Sequence, residues 1–324
     1  MRLPLVLALA LALAACDGGS RGGSRPPGEA TPSGSPSGSR SGSPGGNAAV
    51  CSPAKPHALG DSDQTIVSGG EERSYILHLP PFYDGTPRLP LVLNLHGYAS
   101  AAAQQASYSG WSAKGDAEGF IVVTPNALGT PQRWDTAPAG VDVAFFNDLL
   151  DRLEADLCID ASRIYASGIS NGAAMSTRLA CSLSGRIAAI APVAALIYPL
   201  QCERAPNVPV IAFHGTDDML VPFEGGTTQP FGLPVKPVEE YASGWAVHDG
   251  CAGEPARERA SEHVRVVAYS ECDDDVAVIL YVVEGGGHTW PGATDVPRLG
   301  ATTREVSATD EAWRFFEAQA EQRR

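Results

Sequence analysis

The sequence has no excess of basic residues, no heptad pattern, no internal repeat and no long apolar run beyond its first residues. Each absence narrows the field. With Lys+Arg at 23 against Asp+Glu at 37, the formal net charge is -14, which counts against nucleic acid and an anionic membrane surface as partners. Past residue 13 no stretch is apolar for long enough to cross a bilayer. Without heptads or repeats, coiled coils and solenoids are not on offer. No cysteine pair has a Cys-x-x-Cys or Cys-x-x-His spacing, so zinc is not expected. The run Asp273-Asp274-Asp275 lacks the alternation of a calcium loop and reads as a solvated turn. No metal and no cofactor is expected.

The first residues carry a different signal. After Met1-Arg2 an apolar run leads to Leu13-Ala14-Ala15-Cys16, too short to span and placed like a signal peptide. The small residues before Cys16 resemble a bacterial lipobox, which implies cleavage after residue 15 and a lipid on Cys16; the plainer reading is an ordinary secretory signal with an incidental cysteine. Residues 16–49 are mostly Gly, Ser, Pro and Arg with almost nothing apolar. Such a segment cannot build a core and reads as a flexible tether with an r.m.s. reach of about 30 Å. The expected organisation is a lipoprotein-type signal in residues 1–15, a tether in 16–49 and a catalytic domain in 50–324. The protein is then secreted, or anchored on the extracytoplasmic side through its N-terminal lipid alone.

Six cysteines follow the tether: Cys51, Cys158, Cys181, Cys202, Cys251 and Cys272. An even number behind a signal peptide implies three disulfides in an oxidising compartment. Proximity along the chain favours Cys181–Cys202 and Cys251–Cys272, which leaves Cys51 for Cys158.

Short apolar runs at residues 89–95, 120–124, 163–167, 187–194, 208–213 and 276–283 read as buried strands, and residues 73–79 as a half-exposed one. Residues 101–118, 142–157, 173–183 and 310–322 read as helices, with Phe145, Leu149 and Leu153 on one apolar face of the second. Apolar strands alternating with helices mean an α/β fold: a mostly parallel sheet with helices on both faces. In such sheets the site lies at the carboxyl ends of the strands.

Three motifs fall at those ends. Gly168-Ile169-Ser170-Asn171-Gly172 stands between a strand and a helix, the context in which Gly-x-Ser-x-Gly is a nucleophile elbow rather than a turn serine. Gly18-Gly19-Ser20-Arg21-Gly22 also fits the pattern but lies in the tether. His214-Gly215-Thr216-Asp217-Asp218 follows the 208–213 strand, and Gly286-Gly287-His288-Thr289-Trp290 follows the last one. A serine hydroxyl needs a base, and the base an orienting acid. The chain order of serine, acid, histidine is that of α/β-hydrolases.

Together with Leu95-His96-Gly97, Val221-Pro222 and Pro291-Gly292, these motifs resemble the secreted esterase family that contains polyhydroxybutyrate depolymerases and feruloyl esterases. The resemblance runs from about residue 74 onward. It implies a serine esterase of the α/β-hydrolase fold, with Ser170 as nucleophile, His288 as base and Asp218, rather than Asp217, as the acid. It also implies an oxyanion hole from the backbone N–H groups of Tyr98 and Asn171, with the Tyr98 ring walling the acyl pocket. His96 and His214 each end a strand beside the site and read more readily as backbone-bonding residues than as proton carriers. Trp134 and Trp290 line the substrate pocket or fill core; they are carried forward as substrate-binding candidates, as is the Gly/Pro-rich stretch 223–237 as a cleft wall.

The expected substrate is an accessible ester, polysaccharide-linked or a short polyester, acted on by a monomer. Hydroxycinnamoyl and other short esters come first, and hydroxybutyrate polyester or oligomers are the alternative. A serine peptidase on this fold and a binding protein without catalysis are the rivals. The first usually carries a propeller or a long cap, and the second typically lacks the nucleophile or base. With no polymer-binding module legible in these residues, crystalline polymer is not the expected substrate.

Overall fold

The computed structural model describes residues 50–197, Cys202 and residues 205–322. Expectations for residues 1–49, the signal, Cys16 and the tether, lie outside the described residues. In chain order the first strands are β1 (Gly60–Ser68), β2 (Glu71–Leu79), β3 (Leu89–Leu95), β4 (Ile121–Pro125), β5 (Ile159–Ile169) and β6 (Ala189–Val193). They are followed by β7 (Val210–Gly215), β8 (Gly226–Thr227), β9 (Pro234–Val235), β10 (Ala256–Ser261), β11 (Val264–Tyr269) and β12 (Val278–Val283). The helices are α1 (Ala102–Ser109), α2 (Trp111–Glu118), α3 (Val141–Asp156), α4 (Asn171–Ser182), α5 (Val238–His248) and α6 (Ala308–Gln322).

Ten strands form one sheet in the order β1-β2-β4-β3-β5-β6-β7-β12-β11-β10. The six from β4 to β12 are parallel, and antiparallel strands extend both edges. Continuous apolar runs became the central strands because both faces are covered. In β3, Leu91, Leu93 and Leu95 point into one core with Phe145, Phe146 and Leu149 of α3 and Met175 and Leu179 of α4. Val92 points the other way, into a core with Trp111, Trp290, Trp313 and Phe316. This is the period-two alternation of a strand. The second core is an aromatic stack: Phe120 on Trp313 at 4.0 Å and Tyr165 on Phe316 at 4.3 Å between centroids.

The structure departs from the sequence reading at several elements. The helix expected over 101–118 is two helices, because Gly110 adopts φ 72°, closing α1 and opening α2. The edge strands β1, β10 and β11 and the helix α5 were not foreseen. β10, Ala-Arg-Glu-Arg-Ala-Ser, is exposed along nearly its whole length and carries no apolar alternation to betray it. Charged edges of this kind discourage pairing with another chain.

The disulfides are Cys51–Cys158, Cys181–Cys202 and Cys251–Cys272, the pairs that chain proximity favours. Cys51–Cys158 ties the first described residues to the turn between α3 and β5.

One buried ion pair positions the long loop between β4 and α3. Arg73 of β2 and Asp142 of α3 are 2% and 1% exposed and meet at 2.5 Å. The guanidinium also stacks on Phe145 at 3.8 Å. The second Asp142 oxygen accepts the Asp135 N–H at 2.7 Å, fixing the loop one residue beyond Trp134. Removing one partner of a buried pair leaves the other charge dehydrated and unpaired. Asp142→Ala is therefore expected to cost about 3–5 kcal/mol of stability in urea unfolding; a loss below about 1 kcal/mol would contradict this role.

Candidate active site

Ser170 sits where β5 turns into α4, at φ 57° and ψ -120°. A non-glycine residue holds such a conformation only where its surroundings impose it. Here the Ser170 N–H donates to Val193 O at 2.9 Å, and Ser170 O accepts the Ala174 N–H at 2.9 Å. The strand ladder and the helix thus clamp the residue from both sides. The small residues of the motif are steric necessities: a Cβ on Gly172 would lie 2.3 Å from Leu95 O. Among the described residues the Ser170 hydroxyl has no hydrogen-bond partner.

The other two motif residues come from the ends of β7 and β12, two neighbouring parallel strands. Their loops touch through bare backbone, since a Cβ on Gly215 would lie 2.1 Å from Gly286 O. That closeness brings His288 Nδ1–H to Asp218 Oδ2 at 2.7 Å. Asp218 Oδ1 accepts the N–H groups of Leu220 and Val221, both at 2.8 Å. Asp217 is exposed, and among the described residues its side chain bonds only Thr216. Burial pushes the Asp218 carboxyl up, but hydrogen bonds from His214 and His288 outweigh it and hold the group well below the usual carboxylate range. Asp218 is therefore an anion throughout the mildly acidic and neutral range.

His214 approaches the same Asp218 oxygen, Oδ2, that His288 meets. Its side chain is fully buried, with Nε2 3.3 Å from Asp218 Oδ2 and 2.9 Å from Val221 O. Among the described residues the buried Nδ1 has no partner. A protonated Nδ1 would need an acceptor, so these partners assign His214 the neutral Nε2–H tautomer. His96 is also neutral by its partners: Nδ1–H donates to Gly97 O at 2.7 Å, and Nε2 accepts the Ala127 N–H at 3.0 Å. Burial lowers the His96 pKa, while the bond to Gly97 works against that shift. Both imidazoles brace backbone.

Gly97 packs against Ser170, its hypothetical Cβ lying 3.4 Å from Ser170 Cβ, and Tyr98 follows it. Among the described residues neither the Tyr98 N–H nor the Asn171 N–H has a backbone acceptor. Asn171 opens α4, where helical N–H groups are unsatisfied and the dipole favours negative charge.

The two tryptophans require correction. Trp134 is 0% exposed, packed between His96 and Phe146, with its indole N–H donating to His96 O at 2.9 Å. Trp290 is 1% exposed and donates to Thr309 Oγ1 at 3.0 Å. Neither offers a face to a substrate. Each holds the site from beneath because its N–H finds a partner inside the protein. The Asn171 side chain completes this frame by accepting the Trp134 backbone N–H at 2.7 Å, a link no spacing rule reveals. The exposed aromatic at the rim is Phe231, in the hairpin of β8 and β9, edge-on to Tyr98 with centroids 4.7 Å apart.

Comparison with known proteins decides the family. The family model described as Esterase PHB depolymerase matches residues 73–219. "Putative esterase NocK" of Nocardia uniformis subsp. tsuyamanensis is 31% identical over 300 residues, covering 82% of this chain and 86% of that protein. The chain belongs to this esterase family. Feruloyl esterase B of Piromyces equi is 31% identical over 229 residues, 67% of this chain and 42% of that longer protein. Acetyl xylan esterase from Aspergillus awamori superposes with a TM-score of 0.57 at 14% identity, over 79% of this chain and 99% of that one. At that identity the likeness concerns the α/β-hydrolase fold. In this esterase the matched region includes Ser170 and Asp218, while His288 lies beyond it.

Proposed function

We propose that the protein is a serine carboxylic ester hydrolase working through an acyl-enzyme. The observation that carries this reading is the 2.7 Å bond from His288 to buried Asp218, formed at the same sheet edge as the strained Ser170. Ser170 Oγ attacks the ester carbonyl carbon as its proton passes to His288 Nε2. The tetrahedral oxyanion accepts hydrogen bonds from the Tyr98 and Asn171 N–H groups, each worth about 3 kcal/mol to the transition state. Collapse breaks the bond to the alcohol oxygen, which leaves with the proton from His288. Water then attacks the acyl-Ser170 ester by the same path in reverse. Asp218 keeps the proton on Nδ1 so that Nε2 is free to act as base.

The substrate reading favours hydroxycinnamoyl or other short, accessible esters, supported by the feruloyl esterase among the relatives. Hydroxybutyrate polyester or oligomers are the second reading, supported by the family description. Fold and triad do not choose the acyl group. Hydrolysis rates on methyl hydroxycinnamates, short aryl esters and hydroxybutyrate oligomers separate the two. Clear turnover of the oligomers with none of the hydroxycinnamates would reverse the order.

The three disulfides support an oxidising, extracytoplasmic location. The lipid anchor is part of the same proposal. Cys16→Ser is expected to move the protein from the membrane fraction to the soluble one. A mature N-terminus without lipid in the unaltered protein, read by mass spectrometry, would leave a plain secretory signal instead.

A further inference from the structure

Three segments that frame the site converge on one exposed aromatic ring. Tyr98, next to Gly97 and the nucleophile, meets the Phe231 ring edge-on at 4.7 Å. Arg133 directly precedes Trp134, the residue whose backbone the Asn171 side chain holds. Its guanidinium carbon lies 5.1 Å from the centroid of the same Phe231 ring. The Ala99 N–H donates to Gln132 O at 2.9 Å, joining the Tyr98 and Arg133 segments. The Phe231 hairpin is tied to the acid loop, since the Gln229 N–H donates to Leu220 O at 2.8 Å. The cluster is thus fastened to the nucleophile turn, the oxyanion side and the acid loop. Phe231 is 38% exposed.

The charge of Arg133 is uncommitted. In a chain of net charge -14, an exposed arginine readily finds a carboxylate, as Arg152, Arg257, Arg259, Arg304 and Arg314 do. Arg133 has no ion pair among the described residues; the ring face of Phe231 is its contact. Stacking on an aromatic face orients the guanidinium and leaves its planar fork of donors free for a carboxylate. At the mouth of a site in an acidic protein, that is a local reversal of sign.

We propose that Arg133, held against Phe231 and Tyr98, binds a carboxylate carried by the ester, so that the enzyme prefers anionic esters to their neutral counterparts. This rests on the esterase reading above and names a class of substrate for that site. The carboxylate belongs either to the acyl part, as in a half-ester of a dicarboxylic acid, or to the alcohol part, as in a hydroxyacyl oligomer with a free acid end.

The test compares kcat/KM within two matched pairs, each sharing a leaving group of similar kind. The acyl-side pair is the 4-nitrophenyl half-ester of glutaric acid and the corresponding glutaramate. The alcohol-side pair is 4-carboxyphenyl butyrate and 4-carbamoylphenyl butyrate. The expected result is an acid-to-amide ratio of about fivefold in one pair, carried mainly by KM. In Arg133→Gln that ratio falls toward one, and Arg133→Lys retains part of it, keeping the charge without the fork. The pair that shows the preference identifies the side that bears the carboxylate. A ratio near one in both pairs for the unaltered protein, or a preference surviving in Arg133→Gln, overturns the proposal while leaving the esterase reading intact. Failure to hydrolyse any of the four esters defeats the esterase reading, and this proposal falls with it.

Discussion

Replacing Ser170 by alanine is expected to lower ester hydrolysis by about 10⁵- to 10⁶-fold with the fold intact. The reason is that the proposed acyl intermediate forms on the Ser170 oxygen, which alanine lacks. Ser170 is held between two backbone hydrogen bonds, to Val193 and from Ala174, and those do not involve its side chain. Alanine tolerates φ 57° no better than serine, so the strain is unchanged. Unfolding midpoints of the two proteins should therefore agree, while kcat for a chromogenic ester collapses. His288→Ala should have a comparable effect, because a base and its nucleophile act as one unit. Activity within tenfold of the unaltered protein in either variant would remove both assignments.

The second large effect is on the acid. Asp218→Asn is expected to lower kcat by about 10⁴-fold, whereas Asp217→Asn should change it little. An asparagine at 218 can offer an N–H to His288 Nδ1, which then takes the acceptor tautomer and puts its proton on Nε2, where the base is needed. Asp217 is exposed, and its side-chain bond is to neighbouring Thr216. The reverse ranking, damage at 217 and tolerance at 218, would show that the loop is read one residue out of register. Asp218 also links stability to pH. Its folded pKa is depressed, so its stabilisation is fully present above the unfolded value of about 3.9 and is lost only as pH falls below it. Activity lost between neutral pH and about pH 5 must then come from another group.

The elbow and the two later motifs were legible because chemistry constrains them to fixed residue types at strand ends. The central strands were legible because burial on both faces leaves unbroken apolar runs such as Leu91-Val92-Leu93. What escaped was decided by partners rather than by pattern. Residues 101–118 read as one helix because alanine-rich sequence hides the interruption, yet Gly110 takes a left-handed conformation. β10 is exposed on both sides, so it carries no periodic signal. The inward turn of Trp134 and Trp290 has no signal in the sequence. Each indole turns inward to an acceptor, His96 O or Thr309 Oγ1, that only the folded chain brings within reach. Phe231, in contrast, lies in a stretch whose Gly and Pro content suggested a cleft wall without saying which residue faces the opening.

The most direct measurement is covalent trapping. Incubating the protein with diethyl 4-nitrophenyl phosphate should release one equivalent of nitrophenol and add one diethylphosphoryl group, which peptide mass spectrometry should map to Ser170. Ser170→Ala should take up none. An adduct on any other residue, or equal labelling of the Ser170→Ala protein, would contradict the assignment of Ser170 as the nucleophile.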